Sequence, residues 1–232
     1  MSNGWDQSAA AWIADQQGGG DFSRRHVMDA PMLARIRARQ VGTALDLGCG
    51  EGRFCRMMQD LGIATTGIDP TEALLTEARR RDPQGRYIRA GAEDLPFPDA
   101  HFDLVVSYLT FIDIQGIDAA ITQSARVLKP GGIFLIANLT SFASAGGWTD
   151  EEPRRFTMDD YLRERDSRAE WRGIRIRNWH RPLSRYMQLL LAAGLNLKHF
   201  DEPAPLPADH PRAERYRRAP WLMLMEWQKP RL

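Results

Sequence analysis

The feature that most constrains this chain is a turn with three glycines. A short apolar run, residues 43–48, leads into Gly48, Gly50 and Gly52. Glycine accepts positive φ and has no Cβ, so such a backbone turns sharply and lets a ligand approach closely. Apolar residues at helical spacing begin at Phe54. The segment predicts a strand, a ligand-binding turn and a helix.

The charge and spacing of this turn argue against a dinucleotide. Its glycines follow a Gly-x-Gly-x-Gly pattern, whereas a pyrophosphate-binding turn follows Gly-x-Gly-x-x-Gly. Asp46 lies two residues before the first glycine, and Glu51 lies inside the turn with Cys49. Two carboxylates repel a diphosphate and suit a ligand with an ammonium or sulfonium group. A nicotinamide-dependent reductase is therefore a disfavoured alternative.

A second acidic residue indicates a nucleoside. Asp69 ends the next predicted strand and lies 19 residues after Gly50. An acid about 20 residues beyond a glycine turn can accept hydrogen bonds from the hydroxyls of a ribose. The alternative is that Asp69, Pro70 and Thr71 only cap a helix. Together with the glycine turn, the ribose interpretation is favoured.

Strands and helices alternate through the middle of the chain, which predicts a parallel sheet with helices on both faces. The predicted strands lie at residues 43–48, 64–68, 87–90, 102–108 and 133–138. A helix capped by Ser184 follows later, with two closing strands at 195–200 and 221–227. A proline-rich stretch between those strands, 203–211, predicts a long loop.

The overall composition excludes several classes of protein. The 31 Lys and Arg residues balance 30 Asp and Glu, and a net charge of +1 gives no support for nucleic-acid binding. No secretory signal begins the chain, and no segment approaches the roughly 20 apolar residues of a membrane span. Two cysteines, Cys49 and Cys55, make neither a disulfide framework nor a zinc site. We expect a cytoplasmic protein with no membrane partner, as a monomer or homodimer.

Four stretches resemble the class I S-adenosylmethionine-dependent methyltransferases, in particular those that methylate small molecules. They are ALDLGCGEG, TGIDPTEALLTEA, AGAEDLPFPDAHFDLVVS and ARVLKPGGIFLIAN. The resemblance implies a Rossmann-like, doubly wound α/β sheet of seven strands with the last strand antiparallel. A helical N-terminal cap would precede the sheet, and an insertion would follow the fifth strand. S-adenosyl-L-methionine would be the methyl donor and S-adenosyl-L-homocysteine the product.

We expect a single methyltransferase domain over residues 1–232, with four regions. They are a helical cap (1–40), a cofactor-binding core (41–140), a substrate-side insertion (141–183) and a C-terminal helix with a strand pair (184–232). The insertion is polar, rich in Arg and Trp, and has no clear period, which favours irregular or helical structure.

The resemblance also implies roles for individual residues. The glycine turn, Gly48, Cys49, Gly50 and Gly52, would surround the methionine part of the cofactor. The amine of that part would lie near Asp46 and its carboxylate near Arg25, because guanidinium groups pair well with carboxylates.

The other cofactor contacts would follow the second, third and fourth strands. Asp69 would hold the ribose, and Pro70 would pack near the adenine. Ala92 and Glu93 would lie at the adenine rim, and Ser107 beside the sulfonium.

One departure from the family concerns Gly91, where many members have an aspartate that binds the adenine amine. In this chain that contact would come from Glu93, from Asp94 or from water.

Methyl transfer from a sulfonium is a direct displacement, so the protein must mainly align the nucleophile and exclude water. His180 is a candidate substrate contact or general base, the alternative being a hydrogen bond that orders the chain. Tyr108 and Asp113 follow the fourth strand and are expected either to line the pocket or to pack locally. No metal is expected, because the Asp-Asn pair of catechol-type enzymes is missing after the fifth strand.

The sequence therefore predicts a methyltransferase that acts on an oxygen or nitrogen of a small-molecule metabolite. Two alternatives remain open: methylation of carbon in a quinone-like ring, and methylation of RNA or protein through the Arg-rich insertion. Ten of the 28 arginines lie between Arg154 and Arg185, where they would select an anionic substrate. Coding bias is the competing explanation, because Arg replaces Lys along the whole chain.

Overall fold

The computed structural model describes residues 3–206, 210 and 212–231. Its strands are β1 (Thr43–Leu47), β2 (Ala64–Asp69), β3 (Arg86–Arg89), β4 (Phe102–Tyr108), β5 (Leu128–Leu139), β6 (Gly146–Trp148), β7 (Phe156–Met158), β8 (Arg165–Trp171), β9 (Ile174–His180), β10 (Asn196–Asp201) and β11 (Leu222–Gln228). Its α-helices are α1 (Trp5–Asp15), α2 (Asp29–Arg37), α3 (Arg53–Gln59), α4 (Glu72–Arg81), α5 (Ile117–Val127), α6 (Ser141–Ala145), α7 (Leu183–Ala192) and α8 (Ala213–Arg218). A π-helical turn, Arg24–Met28, precedes α2.

Seven strands form one sheet in the order β10-β11-β5-β4-β1-β2-β3. Strands β1 to β5 run parallel, whereas β11 runs antiparallel to both of its neighbours, β5 and β10. The predicted α/β fold with seven strands and an antiparallel last strand is confirmed. The helical cap before the sheet is confirmed as well, since α1, the π-helical turn and α2 precede β1.

Helices cover both faces of the sheet, which explains the continuous apolar run of β4. Val105 belongs to the core on the side of α5 and α7, and Val106 to the core on the side of α2 and α3. Both side chains are fully buried. Successive strand residues point to opposite faces, so a strand with two covered faces needs apolar residues at every position.

The insertion after β5 is present, but its predicted irregular or helical structure is wrong. After the single short helix α6, it forms two β-hairpins, β6–β7 and β8–β9. In β8–β9 one side carries Ala169, Trp171, Ile176 and Asn178, which face the molecule, and the arginines alternate with them. The inward set mixes small, aromatic and polar residues, so the sequence shows no clear period of two.

Two smaller expectations also differ from the structure. Helix α7 begins at Leu183 with Pro182 as its N-cap, two residues before the predicted cap Ser184. Helix α8 lies between β10 and β11, just after the proline-rich stretch 203–211 that predicted a long loop. That loop lies partly outside the described residues. Among the described residues, no helix is long and apolar enough to span a membrane.

Strand β11 is attached to the N-terminal region through a buried carboxylate. Glu226 is fully buried and accepts hydrogen bonds from Arg35 Nε of α2, at 2.6 Å, and from Arg39. Burial opposes ionisation of Glu226, but the two guanidinium groups hold its pKa below the usual range. The antiparallel strand is thus held by an ion pair as well as by its two ladders.

Candidate active site

A cavity of about 800 Å³ lies beyond the carboxyl ends of β1, β2, β3 and β4. This edge of an open parallel sheet is where α/β folds bind ligands, and the volume is within the usual range for a small-molecule site. The loops after these strands form the floor. Helix α1 and the β8–β9 hairpin contribute the opposite wall, with Trp12, Trp171 and Asn178 among its residues. The cavity is therefore enclosed between the predicted core and the insertion.

The glycine turn after β1 adopts the left-handed backbone that its sequence predicts. Gly48 and Gly50 line the cavity with φ of 64° and 55°. A Cβ on Gly48 would lie 2.3 Å from Cγ2 of Thr110, so no larger residue fits there. Gly52 has φ of 77° and faces Tyr87 behind the turn. The first two glycines shape the ligand side, and the third leaves room for the side chain of Tyr87.

Asp69 connects the end of β2 to this turn. Its Oδ2 accepts the N–H of Gly50 at 3.0 Å, and its Oδ1 accepts the N–H of Thr71 at 2.8 Å. The side chain is buried yet lies in the cavity wall, and burial raises its pKa. Each carboxylate oxygen has a second lone pair, so Asp69 can still accept hydrogen bonds from a ligand.

Asp46 is a second buried carboxyl group in the wall, at the end of β1. It is 2% exposed, and Oδ2 lies 3.5 Å from Sγ of Cys55, which donates to it. Burial raises the pKa of Asp46 to about 7, and the nearby charge of Asp69 adds to the shift. Near neutral pH a substantial fraction of Asp46 is therefore protonated, whereas an ordinary surface aspartate is ionised.

Tyr108 and Asp113 follow β4, and both line the cavity. The hydroxyl of Tyr108 donates to Oδ1 of Asp29 at 2.8 Å, and burial raises its pKa well above the usual value. Asp113 accepts a hydrogen bond from Nδ2 of Asn178 at 2.7 Å. Burial, followed by the charge of Asp69, raises the pKa of Asp113 well above its usual value. Tyr108 is therefore a donor, and Asp113 is a carboxyl group able to hold a proton.

The structure places His180 outside the cavity wall. The ring is buried between two protein partners: Nε2 donates to the carbonyl of Tyr161, and Nδ1 accepts from the hydroxyl of Ser144, both at 2.8 Å. Burial lowers the pKa of His180, which agrees with a neutral ring. Both ring nitrogens are thus bonded to partners within the insertion, which favours the second interpretation, a hydrogen bond that orders the chain.

Three further predicted residues lie outside the wall. Ser107 is fully buried behind it, Gly52 faces away, and Arg25 is exposed. Arg24, the neighbour of Arg25, lies in the wall instead. It pairs with Asp21 at 2.6 Å. Both arginines belong to the π-helical turn, but Arg24 lines the cavity and Arg25 is exposed.

The adenine-rim residues Pro70, Ala92 and Glu93 do line the cavity, as does Cys49. A Cβ on Gly91 would lie 3.0 Å from Oε2 of Glu93. The carboxylate of Glu93 therefore lies over the position where family members often have an aspartate.

Sequence reasoning missed Arg181, a buried guanidinium that orders the loop after β4. Its Nη2 donates to the carbonyls of Ile114 and Gln115 at 2.7 and 3.0 Å. That loop carries Asp113, so Arg181 positions part of the wall without touching the cavity. The only sequence signal was its place beside His180.

None of the ten described arginines between Arg154 and Arg185 lies in the cavity wall. Seven of them pair with carboxylates of the described chain. Their charge is therefore directed away from the cavity and largely balanced.

Comparison with known proteins gives consistent matches. Residues 45–136 match the family described as methyltransferase domain. The chain is 35% identical over 118 residues to malonyl-[acyl-carrier protein] O-methyltransferase of Enterobacter lignolyticus, covering 51% of this chain and 47% of that protein. It is 34% identical over 119 residues to demethylmenaquinone methyltransferase of Tropheryma whipplei, covering 50% and 45%. The chain thus spans about half the length of these curated relatives.

The likeness to solved structures extends further along the chain. An S-adenosylmethionine-dependent methyltransferase from Mesorhizobium loti superposes with a TM-score of 0.75 and 27% identity, over 84% of this chain and 96% of the other. The segment matched by the family model contains the glycine turn, Asp69 and β4. Over residues 45–136 in sequence, and over 84% of the chain in fold, the protein is therefore similar to the S-adenosylmethionine-dependent methyltransferases.

Proposed function

We propose that the protein transfers a methyl group from S-adenosylmethionine to an oxygen or nitrogen atom of a small molecule. The observation that carries this proposal is the convergence of Gly48, Gly50 and Asp69 in one cavity wall. The left-handed turn leaves room for the amino-acid part of the cofactor, and the Asp69 carboxylate can accept hydrogen bonds from ribose hydroxyls.

The residues of the wall fit this cofactor chemically. Asp46 and Asp69 present carboxyl groups to a ligand with ammonium, sulfonium and hydroxyl groups. Arg24 provides a guanidinium on the same wall, and the carboxylate of Glu93 lies where an adenine amine would need an acceptor. These groups support S-adenosylmethionine and do not suit a diphosphate.

When bound, S-adenosylmethionine supplies a sulfonium methyl group that a nucleophile displaces in line, leaving the thioether S-adenosylhomocysteine. A hydroxyl or protonated amine must lose a proton in such a step. Asp113 is the candidate acceptor, because it lines the cavity and burial raises its pKa, which makes its carboxylate a stronger base. The hydroxyl of Tyr108 donates a hydrogen bond to Asp29 and serves to orient that carboxylate. We do not retain His180 as a catalytic candidate.

The substrate side of the cavity favours a small molecule with apolar surface. Leu109, Leu139, Trp171 and Trp221 contribute to its wall, and the arginines of the insertion do not. We therefore set aside the hypothesis that these arginines select an anionic substrate or RNA. A carbon of a quinone-like ring remains the second candidate target. The aromatic wall and the relative named demethylmenaquinone methyltransferase favour it.

Calorimetric titration with S-adenosylhomocysteine and with NADH tests the proposed function. We expect S-adenosylhomocysteine to bind and NADH not to bind. In the Asp69→Asn variant, we expect the affinity for S-adenosylhomocysteine to fall at least tenfold, because the amide keeps one acceptor and places a donor against the ribose. Asp201→Asn, an exposed aspartate at the end of β10, is the matched control. Binding of NADH alone, or an unchanged affinity in Asp69→Asn, would contradict the proposal.

A further inference from the structure

Gln16 is a buried amide in the cavity wall whose side chain has no partner in the part of the chain that the structure describes. It is 2% exposed, and among the described residues neither Nε2 nor Oε1 has a hydrogen-bond partner. Buried amides are nearly always paired, because an unpaired donor and acceptor cost stability. We therefore expect the N–H and C=O groups of this amide to form hydrogen bonds with a ligand that enters the cavity.

Contacts made by residues on either side of Gln16 hold it near the glycine turn. Its backbone N–H donates to the carbonyl of Trp12 at 2.9 Å, so the side chains of residues 12 and 16 lie on one face of α1. On that face, Nε1 of Trp12 would be 3.6 Å from a Cβ on Gly50. Arg53 of α3 donates to the carbonyl of Gly19 at 2.6 Å and holds the segment after Gln16 against the same turn.

The other charged groups near the turn already have partners. Arg24 pairs with Asp21, and Arg53 pairs with Asp29. Glu51 pairs with Arg56 at 2.6 Å and with an arginine of α4 at 3.0 Å. The neutral amide of Gln16 keeps an unused donor and an unused acceptor. An α-amino acid group, with a carboxylate beside an ammonium, complements both.

We propose that Gln16 binds the α-amino acid end of the cofactor from the C-cap position of helix α1, outside the segment matched by the family model. The inference rests on the proposed function. It makes Gln16 a specificity-determining residue, which distinguishes adenosyl ligands that carry an amino-acid end from nucleosides that lack one. Asp69 and the adenine rim serve both kinds of ligand equally.

The test compares two ligands on the whole protein by calorimetric titration. S-adenosylhomocysteine carries the amino-acid end, and 5′-methylthioadenosine has the same nucleoside and thioether without it. In Gln16→Leu we expect the affinity for S-adenosylhomocysteine to fall at least tenfold and that for 5′-methylthioadenosine to stay within twofold. We also expect the Tm of the ligand-free variant to equal or exceed that of the unmodified protein, because the unpaired amide is removed.

Gln17→Leu is the matched control, since Gln17 is the exposed neighbour of Gln16. It should leave both affinities unchanged. An unchanged affinity of Gln16→Leu for S-adenosylhomocysteine, or an equal loss for both ligands, would overturn the inference while the unmodified protein still bound S-adenosylhomocysteine. Failure of the unmodified protein to bind either ligand would instead overturn the proposed function, and this inference with it.

Discussion

Asp46 couples the ionisation of the cavity wall to the stability of the protein. Its pKa is about 7 in the folded chain, against about 3.9 for an unfolded aspartate. The folded state therefore holds this proton more tightly, and the free energy of unfolding falls as pH rises from about 4 to about 7. Above pH 7 the contribution is constant. The carboxylate is then ionised in both states, and the cost of burying it is complete.

Asp46→Asn should remove this pH dependence. Between pH 5 and pH 8, we expect the ligand-free protein to lose about 2 kcal/mol more than the variant does. Urea unfolding at the two pH values measures the difference. Glu72→Gln, an exposed carboxylate of α4, is a suitable control. Parallel stability curves for the unmodified protein and Asp46→Asn would show that Asp46 has an ordinary pKa in the folded state.

The residues whose position in the cavity wall could be predicted from the sequence belong to short local motifs. Gly48, Gly50 and Asp69 lie at the ends of adjacent strands, so their proximity follows from the strand order alone. Gln16 and Arg24 reach the cavity only because α1 and the π-helical turn pack over it. No local pattern encodes that long-range packing, and it could not be predicted from one sequence.

At the scale of elements, α1 and the β8–β9 hairpin behave as one cover over the cavity. The hydroxyl of Ser8 donates to the carbonyl of Arg175 at 3.0 Å and accepts from its N–H at 2.9 Å. The N–H of Arg177 donates to the carbonyl of Asn3 at 2.9 Å. An ion pair joins Arg172 of the hairpin to Asp15 of α1. Opening either element thus requires breaking its bonds to the other.

Ser8→Ala should loosen both elements together. Loss of two hydrogen bonds at a buried site should lower the free energy of unfolding by about 1–3 kcal/mol. Hydrogen exchange should become faster in α1 and β9 and stay unchanged in β4. Ser184→Ala is the control, because Ser184 is exposed in α7 and the cap of that helix is Pro182. Faster exchange in α1 alone would contradict a shared cover.

The sequence predicted a strand or helix well where it has one or two clearly apolar faces. It predicted strands poorly where no face is clearly apolar. Strands β1, β2 and β4 were found because each is a short, mostly buried run between turn residues. The hairpins were missed because they lie on the surface and bury only a narrow strip of side chains. In β8–β9 that strip includes Asn178, a polar residue whose partner, Asp113, lies 65 positions away.

For the whole molecule, the arginines of the insertion contribute their charge to the outer surface and not to the cavity wall. Arg168 and Arg175 are exposed on the outward side of the β8–β9 hairpin. The double variant Arg168→Ser, Arg175→Ser should bind S-adenosylhomocysteine within twofold of the unmodified protein, at both 50 and 200 mM salt. Titration at the two salt concentrations measures this. A loss of affinity that disappears at the higher salt would show that these arginines do contribute to ligand binding.

The ion pair between α2 and β11 also bears on how the chain reaches this structure. Arg35 and Glu226 are 191 residues apart, and β11 fills the position between β5 and β10. The loop that closes when they meet is nearly as long as the chain, and contacts of such large sequence separation slow folding. Until β11 enters, β5 presents an unpaired edge with apolar residues on both faces, which can pair with another chain. Refolding at high protein concentration should therefore compete with association through that edge.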